Sequence, residues 1–483
     1  MKATDLLEIK AAIRLLKTSR PTFYRWLRAG RLKGVKVGRQ WRFARADLER
    51  FVQGEPPRLE ARGPLEPLLE ALGVTAAGGA ADGALEPLAI AARAVVDHAC
   101  ARGASDVHLM PRREPSGLVV AELAHRVAPA LERVVTFDAR LLDGLIDQFK
   151  VLSRCDLHVR ARPQQGRIDA WPAGGRRVDL NLCFVPTPLG EALTIRIQDP
   201  RAVRITLDEL PFSAPDRERL RAAVRQPHGL VLVTGPTGSG KTTTLYALAQ
   251  ERLAAGVKVM TVESPVTLLL DGAVQVSADP VAGVTAAAAL RAVLASDADV
   301  IVITELGHAE VAALAVEAAA TGHLVIGQMR CADAVGAVER LAELGVERTA
   351  LADVLRAVTS QRLVRLLCGA CKEPHKLDKR ESERLAGLVR AGGVAGRRPP
   401  GAYSRAVGCA ECEHRGFKGR TMVSEVLELG PALIRAVRSG MDARNLRDLA
   451  AQAGMPTLQA DAIVKAALGV TTLDEVFRVV GGR

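Results

Sequence analysis

One stretch constrains this chain more than any other. Gly235-Pro236-Thr237-Gly238-Ser239-Gly240-Lys241-Thr242 fills the pattern G-x-x-x-x-G-K-[ST] in full. The apolar run Val231 to Val233 precedes it, and a stretch of helical character, Thr243 to Leu253, follows. A glycine turn joining a buried strand to a helix belongs to an α/β sheet. The glycines let the backbone wrap a phosphate with its N–H groups pointing inward, and the helix N-terminus adds partial positive charge. Lys241 then reaches the β- and γ-phosphates, and the Thr242 hydroxyl, with Thr243 beside it, ligates Mg²⁺. The loop therefore implies ATP and Mg²⁺ as ligands.

Further strands are predicted at Val257–Val262, Asp299–Thr304 and Leu324–Ile326. Glu305 ends the second of these. A carboxylate at that edge, beside a phosphate loop, can orient water or hold the metal's hydration shell; the alternative is a solvated carboxylate at a strand end. The same argument applies to Glu263 at the end of the preceding strand.

Charge is distributed unevenly over the 483 residues. Of the net +12, residues 1–54 supply ten, with fourteen Lys and Arg against four Asp and Glu. A local excess of this size points to a polyanionic partner. Six of the fifteen aromatics fall in the same segment, so it has a core of its own. Leu6 to Leu16 has helical spacing. Ser19 is a predicted N-cap, with Pro21 in the first turn of a second helix that carries Phe23, Trp26 and Leu27 on one face. Val35 to Phe43 alternates around a glycine as a small hairpin, and Ala46 to Val52 closes as a third helix. The Pro/Gly-rich stretch 55–86 reads as a linker with one short helix near Leu65 to Leu72.

The N-terminus lacks the pattern of a secretory leader, and the most apolar stretch, Ala312 to Gln328, is interrupted by Glu317 and His323. A cytoplasmic protein, or one held at a membrane's inner face by partners, is expected. Cys100, Cys155, Cys183 and Cys331 are expected as buried thiols. Cys368-x-x-Cys371 and Cys409-x-x-Cys412 are paired knuckles, the spacing of a structural Cys₄ Zn²⁺ site.

These residues resemble the assembly ATPases of type II secretion and type IV pili. The resemblance runs from about Pro87 to the end. It rests on Gly229 through Tyr246, Ala104 through His108, Arg162 through Ile168, Thr321-Gly322-His323-Leu324-Val325 (a histidine box), and Gln361 through Val364 before the cysteines, with Gly416 through Arg420 after them. It implies a RecA-like ATPase core at 201–366, a PAS-like α+β domain at 87–200, a zinc subdomain at 367–420 and a helical subdomain at 421–483. It also implies a homo-hexamer acting on a membrane platform protein, catalytic roles for Glu305, Glu263, Lys241 and His323, and phosphate-facing arginines at Arg167 and Arg196. For the two arginines a plain surface role stands beside the catalytic one.

The departures from the family pattern fall around the loop. Glu263-Ser264-Pro265-Val266-Thr267 keeps one of three carboxylates, Thr304-Glu305-Leu306-Gly307-His308 lacks an Arg-Asp pair, Arg330 replaces a histidine and Asn181 an arginine. Because each change is read as removing a charge or donor, ATP binding is expected to persist and hydrolysis to be slow or conditional. Residues 1–54 resemble the winged helix-turn-helix of excisionase and MerR-type proteins. That resemblance implies duplex DNA contacts by Arg20, Thr22, Arg25 and Arg28 from the recognition helix and by Lys36, Arg39 and Arg42 from the wing. A protein-docking use of the same basic face remains open. The whole is read as an assembly ATPase with a DNA-binding head. The alternatives are a DNA-binding regulator or a structural ring subunit with a degenerate ATPase body.

Overall fold

A computed structural model describes residues 6–481 except 29–31, 33, 38–39, 54–62, 75–85, 128–129, 200–204, 267, 280–282 and 392–402. The chain forms two compact units, residues 1–200 and 201–483.

The first unit opens with the basic segment: β1 (Leu6–Glu8), α1 (Ile9–Leu15), α2 (Arg20–Arg28), β2 (Val35–Val37), β3 (Gln40–Ala44) and α3 (Arg45–Val52). The helix expected from Leu6 starts three residues later. Leu6, Leu7 and Glu8 instead pair with Ala44, Phe43 and Arg42, a partner too distant in sequence for local periodicity to reveal. Ser19 caps α2 by accepting the Thr22 amide at 3.3 Å. Phe23 and Leu27 bury against Phe43 and Leu48, while Trp26 packs on Phe51.

A short helix, α4 (Glu66–Ala71), precedes the rest of the unit: α5 (Pro87–Ala101), β4 (Asp106–Arg113), β5 (Val119–Val127), β6 (Ala130–Asp138), α6 (Ala139–Leu152), β7 (Gln164–Ala173), β8 (Arg176–Thr187) and β9 (Gly190–Gln198). The six strands form one antiparallel sheet, β6-β5-β4-β9-β8-β7, whose apolar residues share a core with α4, α5 and α6. Inside it, the Lys150 ammonium and the Glu191 carboxylate are both buried and meet at 2.7 Å.

The second unit comprises α7 (Ala214–Val224), β10 (Gly229–Thr234), α8 (Lys241–Leu253), β11 (Val259–Glu263), β12 (Val274–Ser277), α9 (Ala286–Leu294), β13 (Val300–Ile303), α10 (Ala309–Ala320), β14 (Leu324–Met329), α11 (Ala334–Glu343), α12 (Arg348–Val354) and β15 (Leu355–Leu367). These are followed by β16 (Glu373–His375), α13 (Lys379–Ala391), β17 (Tyr403–Arg405), β18 (Phe417–Glu428), α14 (Pro431–Arg438), α15 (Ala443–Gln452), α16 (Leu458–Ala467) and α17 (Leu473–Val480). Its sheet runs β12-β11-β13-β14-β10-β15-β18, parallel except for the antiparallel edge strand β18. Both faces are covered, which is why its strands read as unbroken apolar runs. Leu230 and Leu232 join the core of α9 to α12, while Val231 and Val233 join that of α7 and α8.

The cysteine insert lies between β15 and β18. Its α13 and β17 share a small apolar cluster with α16 and α17, so the insert leans on the C-terminal helices. Of the cysteines expected to be buried, Cys100 and Cys155 are; Cys183 and Cys331 are partly accessible. Among the described residues no helix is long and apolar enough to cross a membrane.

Candidate functional site

β10 delivers Gly235 to the carboxyl edge of the parallel sheet. Gly235 has φ 141°, and a Cβ there would stand 2.4 Å from the Gln361 carbonyl oxygen, so only glycine fits. Gln361, on the adjacent β15, staples the loop by donating from Nε2 to the Ser239 carbonyl at 2.9 Å. The turn ends at Gly240, left-handed at φ 87°, which starts α8 without a side-chain cap. The first amides of α8 are thus left for a ligand. Ser239 Oγ is buried with no hydrogen-bond partner. An uncapped helix start and an orphaned hydroxyl inside a glycine turn fit a phosphate chain.

Lys241 is nearly buried and donates to the Pro236 carbonyl at 2.7 Å. Burial first, and the charge of Arg330 second, lower its pKa to about 8. The Thr242 hydroxyl donates to Gln328 Oε1 at 3.3 Å. A cavity of about 350 Å³ opens beside Thr242, lined by Glu263, Glu305, His308, Gln328, Arg330 and Arg340 among others.

The two expected carboxylates differ. Glu305, after β13, is half exposed, with Arg330 Nη2 at 3.8 Å. Glu263 is 1% exposed and accepts from the Tyr246 hydroxyl at 2.5 Å, Thr261 at 2.8 Å and Gln275 at 2.7 Å. It borders the cavity, but three donors already hold it.

Two expectations need correcting. His323 precedes β14 at its amino end, and its carbonyl accepts from Gly229, the first residue of β10. The phosphate loop leaves the other end of β10, roughly 20 Å of strand away. Within its own protomer His323 is therefore at the wrong edge of the sheet for a catalytic role; its Nδ1 lies 3.1 Å from the Ala318 carbonyl. Arg330, read as a lost donor, instead adds a cation beside Glu305. Gln328 and Arg340 were not singled out from the sequence, because only the parallel register of β14 with β10 and the packing of α11 bring them to the cavity.

In the first unit, Arg167 is ion-paired with Asp169 and Asp179, and Arg196 with Asp106. Asn181 donates to Gln198 at 3.0 Å. In the basic segment Arg20 and Arg25 are exposed on α2, while Thr22 turns its hydroxyl to Ser19 at 2.9 Å. Arg42 is ion-paired with Glu8 at 3.0 Å and donates to Gln40, so as a phosphate contact it is already engaged. Arg39, and the side chains of Arg28 and Lys36, lie outside the described residues.

The four knuckle cysteines converge. Cys368–Cys409, Cys371–Cys412 and Cys409–Cys412 sulfurs are 3.9, 3.7 and 3.8 Å apart, and all four lie within 4.8 Å of one another. A tetrahedron with Zn–S bonds of about 2.3 Å has edges of about 3.8 Å, whereas a disulfide would bring sulfurs to about 2.05 Å. Amides of Gly408, Cys409 and Gly416 donate to the Cys371 and Cys412 sulfurs, which favours thiolates. The donor set fits Zn²⁺.

A strand, a glycine turn, a buried lysine at a helix start and a carboxylate two strands away define a phosphate-loop nucleotide site on a parallel sheet. The comparisons refine this class. A family model described as "Type II/IV secretion system protein" matches residues 81–478, and a helix-turn-helix domain model matches residues 6–56. The chain is 35% identical over 386 residues to the type II secretion system ATPase E of Vibrio cholerae, covering 80% of this chain and 74% of that one. It is 37% identical to the type II secretion system protein E of Pseudomonas aeruginosa over the same shares. Against the type IV pilus assembly ATPase PilB of Thermus thermophilus it is 35% identical, covering 79% of this chain and 42% of that one. In fold it resembles the Legionella pneumophila ATPase DotB (TM-score 0.57, 18% identity, 81% of this chain and 95% of that) and the pilus retraction motor PilT (TM-score 0.55, 20% identity, 82% and 98%). The chain belongs to the type II/IV secretion system ATPase family, with a helix-turn-helix domain at its amino end.

Proposed function

We propose that this protein binds ATP with Mg²⁺ at Gly235–Thr243 and hydrolyses it as a homo-hexameric motor of a pilus or secretion machine. In this reading the motor works at the inner face of the membrane against a platform protein, and the head binds duplex DNA. The observation that carries it is the pre-formed loop, with Ser239 unpartnered, α8 uncapped and Glu305 across the cavity from Thr242, in a chain of this family. Bound Mg²⁺ would neutralise phosphate charge from the Thr242 hydroxyl. The chain's own groups do the rest: Lys241 and the α8 amides hold the phosphates, and Glu305 orients the attacking water. Four knuckle thiolates hold Zn²⁺ as a structural clasp. Turnover is slow, since Ser264 and Gly307 stand where charged groups would assist the transition state.

Purified protein with Mg²⁺ and ATP tests the motor: turnover should vanish in both Lys241→Ala and Glu305→Gln. Tight ATP binding with no turnover at all would instead favour a second reading, to which the head's ten-charge excess lends support. In that reading DNA binding is the output and nucleotide state the input. Duplex binding that weakens with salt and is lost in Arg25→Ala supports the head as reader; binding that survives the change removes α2 from that role.

A further inference from the structure

β14 lies between β10 and β13, so the residue that follows it emerges between the phosphate loop and Glu305. That residue is Arg330. Met329 is in register with Thr234, the last residue before the loop, and Arg330 Nη2 stands 3.8 Å from Glu305. Both side chains line the cavity beside Thr242. Their ion pair is weak, because the arginine is 73% and the glutamate 48% exposed and water screens them. The guanidinium is also near enough to Lys241 to act on its charge. Lys241 and Arg330 therefore come together near one uncapped helix start, with Arg340 on the same cavity wall but paired with Glu343. Among the described residues of the cavity they face the exposed carboxylate of Glu305, that of Glu263 being held by its own donors. Such a cluster favours a further anion.

We propose that Arg330 is the residue by which this site tells a nucleoside triphosphate from a diphosphate: it grips the terminal phosphate and thereby releases Glu305. This rests on the reading of Gly235–Thr242 as an ATP site. A planar guanidinium matches two phosphate oxygens at once, which an imidazole at the same place does not. With a diphosphate in the loop, Arg330 keeps Glu305 as its partner. With a triphosphate, the guanidinium turns to the γ-oxygens and the freed carboxylate orients water. The exchange is easy because the pair it breaks is solvent-screened.

Full-length protein with Mg²⁺ and fluorescent ADP or a non-hydrolysable fluorescent ATP analogue provides the test. Arg330→Gln should weaken the triphosphate analogue by about tenfold or more and leave ADP within about twofold. Arg330→Lys should recover part of the loss. Glu305→Gln should tighten the triphosphate analogue, and Arg330→Gln added to it should cancel that gain. Affinities that fall together, or stay unchanged, in Arg330→Gln overturn the proposal while leaving the loop's role intact. Wild-type protein that binds neither nucleotide removes the ATP reading and this inference with it.

Discussion

The phosphate loop and the cysteine knuckles are both tight turns around a candidate ligand, but their shapes have different sources. The loop is set by the sheet. β10 is buried between β14 and β15, Gln361 staples Ser239, and the lysine beneath the turn bonds the turn's own carbonyl. The insert borrows its core from α16 and α17, and the four sulfurs that close it would repel one another as thiolates without a cation between them. In the proposed reading a ligand would come to the first site as substrate and to the second as part of the fold.

Metal removal should divide the two regions most sharply. Isolated zinc fingers owe roughly 10 kcal/mol or more to their metal at neutral pH. A strong chelator, or Cys409→Ser, should open residues 368–412 to limited proteolysis while the main sheet stays protected; an equally protected insert would show that it folds without metal. Next in size is Lys241→Ala. It should weaken ATP by about a hundredfold or more with little change in the melting temperature of the nucleotide-free protein. A companion pH series follows from the lowered ammonium pKa. Below about 8 Lys241 is charged before ATP arrives, and above it a proton must be taken up, so affinity should decline as pH rises through that value. Arg330→Gln, which removes the second cause of the shift, should move the decline to higher pH.

Gly235→Ala probes the sheet's hold on the loop. The added methyl meets the Gln361 carbonyl, so a cost of about 2–3 kcal/mol in urea unfolding is expected, together with lost nucleotide binding. The smallest effect belongs to Tyr246→Phe. It removes one of three donors to Glu263 and should cost about 1 kcal/mol of stability with nucleotide affinity retained. A large loss of turnover there would assign Glu263 more than a structural part.

What could be read beforehand follows the same divide. The glycine loop, the α2 cap at Ser19 and the two C-x-x-C pairs were legible because each is decided within a few residues. Glu305 was legible as the end of an apolar run. The fates of His323 and Arg330 were not, since both depend on which way β14 runs relative to β10. One flanks its amino end and the other its carboxyl end, so neighbours in a single motif stand at opposite edges of a sheet. Glu263 looked equivalent to Glu305 until Tyr246 and Gln275, from α8 and β12, were brought onto it. The strand at Leu6 likewise depended on a partner nearly forty residues away.

β15 carries a mechanical consequence. The same strand that holds the phosphate loop through Gln361 continues to Leu367, and Cys368 is the next residue. Along that rail the ladder with β18 stays in register until a bulge between Arg365 and Leu367. Arg365 itself is pinned there, stacked over Phe417 and bonded to the buried Glu475 of α17. The phosphate loop and the knuckles are thus joined by one continuous strand, fastened at the near end by Gln361 and at the far end by Arg365.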